Sequence, residues 1–410
     1  MTGIPAPRRG TRPDEATLTV LIGLLFMLQP LSTDLYLASL PGLAARFAVP
    51  ASTVQLTLSL FVAGFGLAQL VSGPMSDRWG RRPTLLGGLA VYVAASLACA
   101  SAPSIGVLVA ARFVQAIGCC TVVVVGRAIV RDAFDADAGA RALARAFTLF
   151  TIAPVAGPIA GSVLEVAFGF RAAFVLQAGL AVALAMVAWK ALPETLTRAD
   201  ASALDPRRLA RGYATVLRSP VFRAYTLAGT ASYAGVFSFI SASSFVLIDV
   251  LQVPAGWFGA CFAFAVLGFL PGTLVCRRAL SRLGLRRSLA LGCACSAVSA
   301  LAGAALALMG VRHPAAILLP AFGFLFAHGI VFPCAQAGAI APFPERAGAA
   351  AGLFGALLMA VATIVGTWIG ASHDGTPVPL MVTMAVAALV GVAASNLPVL
   401  RRADGARATP

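Results

Sequence analysis

The sequence predicts an all-α integral membrane protein with twelve transmembrane helices. Of its 410 residues, 60% are Ala, Val, Ile, Leu, Met, Phe, Trp, Tyr or Cys and only 11% are charged, whereas soluble proteins carry about 25% charged residues. A soluble fold of this size could not bury so much apolar surface. Stretches of about 20 apolar residues recur along the chain, and each is long enough to cross a bilayer as a helix.

The apolar runs predict helices because transmembrane strands would be alternating segments of about ten residues. Helices also satisfy their backbone hydrogen bonds internally, as a lipid environment requires. The first apolar run is too long for a cleaved signal peptide and is interpreted as the first span. The first six predicted spans cover 17–41, 52–72, 84–102, 105–127, 143–164 and 170–190. The second six cover 222–248, 256–276, 288–310, 314–337, 346–370 and 377–399.

The basic residues predict the orientation of these helices. A net charge of +15 would suit a nucleic-acid partner, but the arginines lie in small clusters between apolar runs, so no nucleic acid is expected. Of the 30 Lys and Arg residues, 26 fall on one side of the predicted topology, three on the other and one, Arg112, inside a span. The positive-inside rule then predicts a cytoplasmic central loop and two cytoplasmic termini. The single lysine, Lys190, does not follow a glycine, which excludes a P-loop ATPase.

The chain is predicted to consist of two six-helix halves. A long basic loop lies midway, and it divides the chain into an N-terminal half at 1–200, a cytoplasmic linker at 201–221 and a C-terminal half at 222–410. The loop after the second span and the loop after the eighth share a Gly followed by paired arginines, centred on Gly80 and Gly284. Duplicated six-helix halves are typical of secondary transporters, whose substrate site lies near the membrane midplane between the repeats.

Two charged residues inside spans are candidate site residues. Asp34 is the only carboxylate deep inside a predicted span, and Arg112 is the only basic residue there. A carboxylate in hydrocarbon costs at least about 2.5 kcal/mol, so such a residue is expected to face a cavity and to have a function. Both residues lie about seven positions from the same membrane face, or about 10 Å, which suggests one shared polar cavity. A helix-end Asp34 that reaches outward and a purely structural ion pair remain alternatives.

The loop after the second span contains the most specific motif, GPMSDRWGRRP. A carboxylate, a glycine that allows a tight turn and paired arginines predict a hairpin held by charge. An ordinary cytoplasmic turn would explain the arginines but not Asp77. Asp77 could face the positive N-terminal end of the eleventh span, near Arg346. The residues of this motif with candidate roles are Gly73, Asp77, Arg78, Gly80, Arg81 and Arg82.

The fifth span contains prolines and glycines at spacings of four. Small residues at this spacing permit close helix approach, and prolines bend a helix. The residues concerned are Pro154, Gly157, Pro158 and Gly161. Packing alone could account for the glycines. In the tenth span, His328 is interpreted as a hydrogen-bonded interior histidine rather than a titrating one.

These motifs together resemble those of the major facilitator superfamily, in particular its Bcr/CflA-type (bicyclomycin/chloramphenicol resistance) multidrug:proton antiporters. The loop resembles the family's cytoplasmic signature, Arg112 to Gly118 its fourth-span signature, and PVAGPIAG its antiporter motif. The chain departs from the pattern at Ala38, where a proline is usual, and at Phe332-Pro333-Cys334, where the family has Met-Pro-Asn. Both departures lie where substrate contacts are expected, so they bear on substrate identity.

The resemblance implies a proton-coupled exporter of small amphipathic drugs in the inner membrane of a bacterial cell. It implies that Asp77 helps to hold the halves together, and that proton coupling and substrate binding involve Asp34, Tyr36, Arg112 and Gln115. No cofactor or metal is expected, because the proton gradient supplies the energy. The expected partners are a drug molecule, protons and the lipid bilayer, and the protein is expected to be a monomer.

Two other functions remain open from the sequence. A transporter of a small metabolite, such as a sugar or an amino acid, would share the loop signature. A membrane-embedded enzyme would need clustered nucleophiles, histidine pairs or paired carboxylates inside spans, and the sequence contains none of the usual patterns. The sequence therefore predicts a transporter and not an enzyme.

Overall fold

A computed structural model describes residues 15–400, and every regular element in that range is helical. The arginines near the two termini (Arg8, Arg9, Arg12, Arg401, Arg402 and Arg407) lie outside the described residues, as do the termini themselves. The first seven helices are α1 (Glu15–Asp34), α2 (Leu40–Phe47), α3 (Ala51–Trp79), α4 (Arg81–Ser101), α5 (Ile105–Ala133), α6 (Ala136–Phe168) and α7 (Arg171–Ala191). The next seven are α8 (Pro206–Arg218), α9 (Pro220–Ser244), α10 (Ala255–Leu267), α11 (Phe269–Leu308), α12 (Pro314–Ile340), α13 (Ala347–Ala371) and α14 (Val378–Ser395).

The first span is interrupted after Asp34. Helix α1 continues without a break past Pro30 and ends at Asp34. A 3-10 turn at Leu37–Ser39 and then α2 follow it. The predicted end of this span at residue 41 is therefore wrong, because the apolar helical segment extends to Phe47. Pro41 lies in the first turn of α2, where its missing N–H has no helical partner to lose. The proline starts a second helix instead of ending the span.

Ten segments of the described chain are long and apolar enough to cross a membrane. The segment Ala255–Leu308 is one of them, with 54 residues, and it contains two of the twelve predicted spans. Its helix is broken at Gly284, which has φ 76° and ψ 175°. Gly80 between α3 and α4 has φ 100° and ψ 154°, so the two glycines of the repeated loop motif adopt similar backbone conformations. Within the part of the fifth predicted span that the structure describes in full, Ile152–Phe168 is a shorter apolar helical segment.

The helices pack in two sets, and two helix pairs form the larger part of the contact between them. Helices α1, α3, α4, α5, α6 and α7 pack on one another, and so do α9, α11, α12 and α14. Between the sets, α3 packs on α13 and α6 packs on α10. Close approach at α6 and α10 depends on Gly259, whose position faces the backbone of Pro158 and Ile159, and the Ser162 hydroxyl accepts a hydrogen bond from the Gly259 N–H at 2.9 Å. The basic helix α8 packs on α9 and α13.

Candidate functional site

The break in the first span places a carboxylate in the protein interior. Asp34 is the last residue of α1 and is 5% exposed. Its carboxylate accepts a hydrogen bond of 2.7 Å from the Thr33 hydroxyl, and the N–H of Leu35 still bonds to the Leu31 carbonyl at 3.3 Å. Interrupted transmembrane helices are a recurrent way to expose backbone and side-chain groups to a ligand or ion in transporters. Asp34 does lie at a helix end, but its side chain is buried and does not reach outward as the alternative assumed.

Arg112 lies on α5 in a cage of aromatic rings. It is fully buried, and its guanidinium carbon lies 4.5 Å from the ring centroid of Tyr36 and 4.1 Å from that of Phe61. Its Nη1 donates a 2.5 Å hydrogen bond to Gln115, and its Nε donates a 3.4 Å bond to the Thr57 carbonyl. Nη2 has no hydrogen-bond partner. Stacking on rings stabilises a cation that is withdrawn from water.

Asp34 and Arg112 are joined indirectly. No ion pair links them among the described side chains, so the ion-pair alternative is wrong. Instead, Gln115 donates to Gln177 at 2.8 Å, and Gln177 donates to the Leu31 carbonyl of α1 at 3.1 Å. This chain of hydrogen bonds fixes the backbone one turn before Asp34. We call it the Arg112 network; it consists of Arg112, Gln115, Gln177 and the Leu31 carbonyl.

Tyr36 connects the same two regions on the other side of the break. Its ring stacks on Arg112, and its hydroxyl lies 2.9 Å from the Thr57 hydroxyl. Three of the four predicted site residues are therefore joined, because Arg112 contacts both Tyr36 and Gln115. Asp34 lies two residues away from Tyr36 in the unwound turn. The sequence places Gln177 among several glutamines inside spans that could line a polar path or bond a neighbouring helix, but it does not indicate the partner.

The glycines of the fifth predicted span pack against this break. A Cβ added at Gly157 would lie 3.3 Å from the Cβ of Asp34, and one at Gly161 would overlap the carbonyl of Leu35. Helix α6 can approach the unwound turn only because these positions carry no side chain. The close approach predicted from the Gly spacing is confirmed, and its partner is α1. The prolines at 154 and 158 lie inside the continuous helix α6.

A second carboxylate, missed by the sequence reasoning, also contacts the interrupted span. Glu165 lies in the last turn of α6 and accepts a hydrogen bond from the hydroxyl of Ser39 in the 3-10 turn. The side chain of Glu165 is half-buried. Its position at the end of an apolar run suggested only a helix-end residue. The two carboxylates, Asp34 and Glu165, thus flank the segment between α1 and α2.

The loop motif forms a compact cluster of charges at one end of the bundle. Arg81 is 3% exposed and donates from Nη1 to Asp77 at 2.5 Å and from Nε to Asp132 of α5 at 2.7 Å. Glu194 was not predicted, and its carboxylate accepts the backbone N–H groups of Arg81 at 2.9 Å and Arg82 at 3.1 Å. It therefore caps the N-terminus of α4, where a negative charge is favourable. The hairpin held by charge is confirmed.

The other residues of the motif have smaller roles. The positive φ of Gly80 requires a residue without Cβ, and a Cβ there would lie 2.6 Å from the Glu194 carboxylate. Arg82 donates a 2.7 Å bond to the Trp189 carbonyl. Arg78 is exposed, and an added Cβ at Gly73 would make only an ordinary contact, at 3.8 Å.

A cavity of about 1200 Å³ opens beside this charge cluster. It lies between the ends of α3 and α5, helix α8 and the start of α13, and both Asp77 and Arg346 line it. Asp77 thus lines the same cavity as Arg346 while its carboxylate bonds to Arg81, and the predicted interaction of Asp77 with the start of the eleventh span stays a prediction. The linker reaches the same region, with the Asp200 N–H bonded to the Asp77 carbonyl at 3.0 Å.

An all-helical bundle with ten candidate spans and a buried acid at a helix break defines a multi-pass membrane protein. The profile of the Major Facilitator Superfamily matches residues 22–367, and the chain belongs to that superfamily. Membership of this superfamily agrees with the transporter prediction.

Curated relatives of similar length include two drug-resistance proteins. The chain is 28% identical over 373 residues to a bicyclomycin resistance protein homolog of Haemophilus influenzae, with 91% of this chain and 94% of that protein covered. It is also 28% identical over 373 residues to multidrug resistance protein D of Escherichia coli, with 84% and 86% covered.

Solved structures with the same fold include transporters of different substrates. The human organic anion transporter MFSD10 matches with a TM-score of 0.68 and 19% identity over 94% of this chain and 99% of its own. The xylose transporter XylE of E. coli matches with a TM-score of 0.71 and 12% identity over 93% and 96%. At these identities the likeness concerns the fold alone.

Proposed function

We propose that this protein exports small amphipathic drugs of the phenicol and bicyclomycin type in exchange for protons, by alternating access. The observation that carries the proposal is the position of Asp34 at the break in the first span, with the glycines of α6 packed against it. The two relatives named for drug resistance support the substrate class. The exchange needs no cofactor, since the proton gradient drives it.

In the proposed cycle, Asp34 carries the proton. Substrate binds from the cytoplasm while the carboxylate is ionised, and protonation from the outside favours release. Helix α6 contacts the α1 break on one side and α10 on the other, so a change at Asp34 reaches the contact between the two helix sets directly. A local change of charge shifts a conformational equilibrium only if it stabilises one state more than the other. The packing of α6 against the α1 break and α10 would make the two states differ in this way.

The proposed topology has twelve crossings in two halves, 1–200 and 222–410, joined by the linker. In this count, α1 and α2 together form one crossing, and α9 forms one crossing with the π-helical turn that follows it. The segment Ala255–Leu308 is divided at Gly284 into two crossings. The basic end of the bundle, which contains Arg81, Arg131 and Arg208, faces the cytoplasm. The cavity of about 1200 Å³ then opens inward, so this conformation is inward-facing. The protein acts as a monomer in the inner membrane.

The proposal is tested by proton release from the protein reconstituted in liposomes that contain a pH-sensitive dye. With wild-type protein, drug that flows out of the liposomes down its concentration gradient should drive protons into the liposomes. Asp34→Asn, which mimics the protonated acid, should abolish the exchange, while Asp249→Asn, at an exposed carboxylate after α9, should leave it unchanged. Glu165→Gln tests which of the two carboxylates that flank the break carries the proton.

Wild-type exchange rates in Asp34→Asn would contradict the proposed coupling site. Loss of exchange in Glu165→Gln together with normal exchange in Asp34→Asn would assign the proton to Glu165. Proton-coupled movement of a sugar or an amino acid in place of every drug tried would favour the metabolite transporter.

A further inference from the structure

A cluster of aromatic rings surrounds a buried histidine in the second helix set. His328 on α12 is 7% exposed, and its Nδ1 lies 2.8 Å from the hydroxyl of Ser232 on α9. The sequence-based interpretation of a hydrogen-bonded interior histidine is thereby confirmed. Around it lie Tyr233 of α9, Phe269 of α11 and Phe332 of α12. We call these four residues, Tyr233, Phe269, His328 and Phe332, the His328 cluster.

The rings of the cluster are tilted around the imidazole. Their centroids lie 6.2 Å (Tyr233), 5.8 Å (Phe269) and 5.4 Å (Phe332) from that of His328, with interplanar angles of about 40°. These distances and tilts are typical of favourable aromatic pairs. The three surrounding rings are half-buried, whereas the histidine is nearly covered. The three surrounding rings therefore keep part of their surface accessible, next to a polar ring that is almost covered.

The second nitrogen of the imidazole has no partner among the described residues. Ser232 occupies Nδ1, and no hydrogen bond involves Nε2. Depending on the tautomer, Nε2 presents one donor or one acceptor. His328 keeps 7% of its surface exposed, and Nε2 is not one of the buried side-chain atoms without a partner, so a bound molecule could reach this nitrogen and form one hydrogen bond with it.

The cluster lies close to the boundary between the two helix sets. Tyr233 is within range of electrostatic interaction with Asp34, and its ring stacks on Phe237 with centroids 6.3 Å apart. Phe237 and Ser59 of α3 both adjoin Gly366 of α13. The cluster therefore adjoins the contact between α3 and α13 through Phe237, and Tyr233 is close enough to Asp34 to sense its charge.

We propose that the His328 cluster is a subsite for an aromatic ring of the transported molecule, and that His328 Nε2 bonds a polar substituent on that ring. The inference rests on the proposed function and adds a substrate class to it. No acidic or basic side chain among the described residues forms an ion pair with the cluster. Recognition is thus by ring contact and one hydrogen bond. A compound without an aromatic ring would use other contacts.

The test compares two drugs by titration calorimetry of the purified protein in detergent. Chloramphenicol carries a nitrobenzene ring, and bicyclomycin carries no aromatic ring. Phe332→Leu removes one ring of the cluster, and His328→Phe keeps a ring but removes both nitrogens, Nε2 and the Nδ1 that contacts Ser232. Each should weaken chloramphenicol binding about fivefold, the size expected for one aromatic contact or one hydrogen bond. Bicyclomycin binding should stay within about twofold.

Phe322→Leu is the matched control, because Phe322 lies on the same helix and stacks instead on Phe264, at 5.3 Å. It should leave both affinities unchanged. Equal losses for both drugs in Phe332→Leu, no loss for chloramphenicol, or no chloramphenicol binding by the wild-type protein would each overturn the subsite. Failure of the proposed function has a different signature: ring-dependent binding would persist in detergent, but no proton exchange would accompany transport in liposomes.

Discussion

The two helix sets hold their buried polar groups in different ways. In the first set, the Arg112 network runs from a caged guanidinium through two glutamines to the backbone of α1. In the second set, the His328 cluster has one hydrogen bond and three surrounding rings. A continuous chain of hydrogen bonds fixes the position of each member, whereas ring contacts tolerate ligands of different shape. The contrast suggests that the first set controls the proton and the second adapts to the substrate.

The distribution of charge follows the same division. Asp34, Arg81 and Arg112 are buried in the first set. Among the described residues of the second set, His328 is the only buried titratable residue other than tyrosines and cysteines. A buried charge is unfavourable unless it is compensated. Arg112 is buried with one nitrogen unpartnered, so a functional role explains this charge better than a contribution to stability does.

The largest expected effect comes from Arg112→Met, which separates these two explanations. Met removes a buried cation that is unfavourable to desolvate, but it also leaves Gln115 Oε1 without its donor, at a cost of about 1–3 kcal/mol; because these effects oppose each other, the melting temperature in detergent should change little. Drug transport in liposomes should fall about 100-fold, because the α1 break loses its positioning. Arg312→Met, at an exposed arginine between α11 and α12, is the control. A parallel loss of melting temperature and transport would identify Arg112 as structural.

Next in size is the effect of Gly161→Ala on folding. The added methyl group would overlap the Leu35 carbonyl, and such overpacking destabilises by about 1–3 kcal/mol. Gly179→Ala on α7 meets no atom within 4 Å and should be neutral or slightly stabilising, because alanine favours helix. Thermal melting of the two purified variants measures the difference. Equal melting temperatures would show that α6 does not need this close contact.

Asp77→Asn should have a smaller effect, and on transport alone. Loss of the bond to Arg81 changes the balance of conformations, which should lower transport about tenfold. Drug affinity in detergent should stay within about threefold, since Asp77 does not belong to the proposed binding region. Asp374→Asn, between α13 and α14, is the control. Abolished binding by a folded Asp77→Asn protein would contradict this role.

The smallest effect is expected in the linker, from Asp200→Asn. The hydroxyl of Ser202 and the guanidinium of Arg208 hold the pKa of Asp200 below its ordinary value of 3.8. A lowered pKa means that the contact stabilises the linker above that value and is lost as the pH falls through the still lower folded-state pKa. Exposed pairs contribute little, so transport should be unchanged within about twofold. Faster hydrogen exchange in residues 200–205 at neutral pH is the expected signal; a large loss of transport would give the linker a greater role.

Much of the molecule could be predicted from the sequence because lipid restricts the choices. Apolar runs of bilayer length must be helices, and the observed helices begin and end within a few residues of most predicted spans. Asp34 and Arg112 stood out because charges inside such runs are rare. Likewise, the spacing of Gly157 and Gly161 predicted a close helix contact, and Gly80 predicted a tight turn. Each of these features depends on neighbouring residues along the chain.

The partners of these residues were decided only by the tertiary structure. Gln177 meets Leu31, Glu165 meets Ser39, and Glu194 caps α4 at Arg81, with separations of more than 100 residues along the chain. The sequence also suggested one cavity for Asp34 and Arg112, since both lie at similar depth. Depth along a helix does not determine which way a side chain faces, and the packing of α5 turns Arg112 toward Tyr36 and Phe61. Local pattern thus determined which residues are unusual, whereas helix packing determined what each of them contacts.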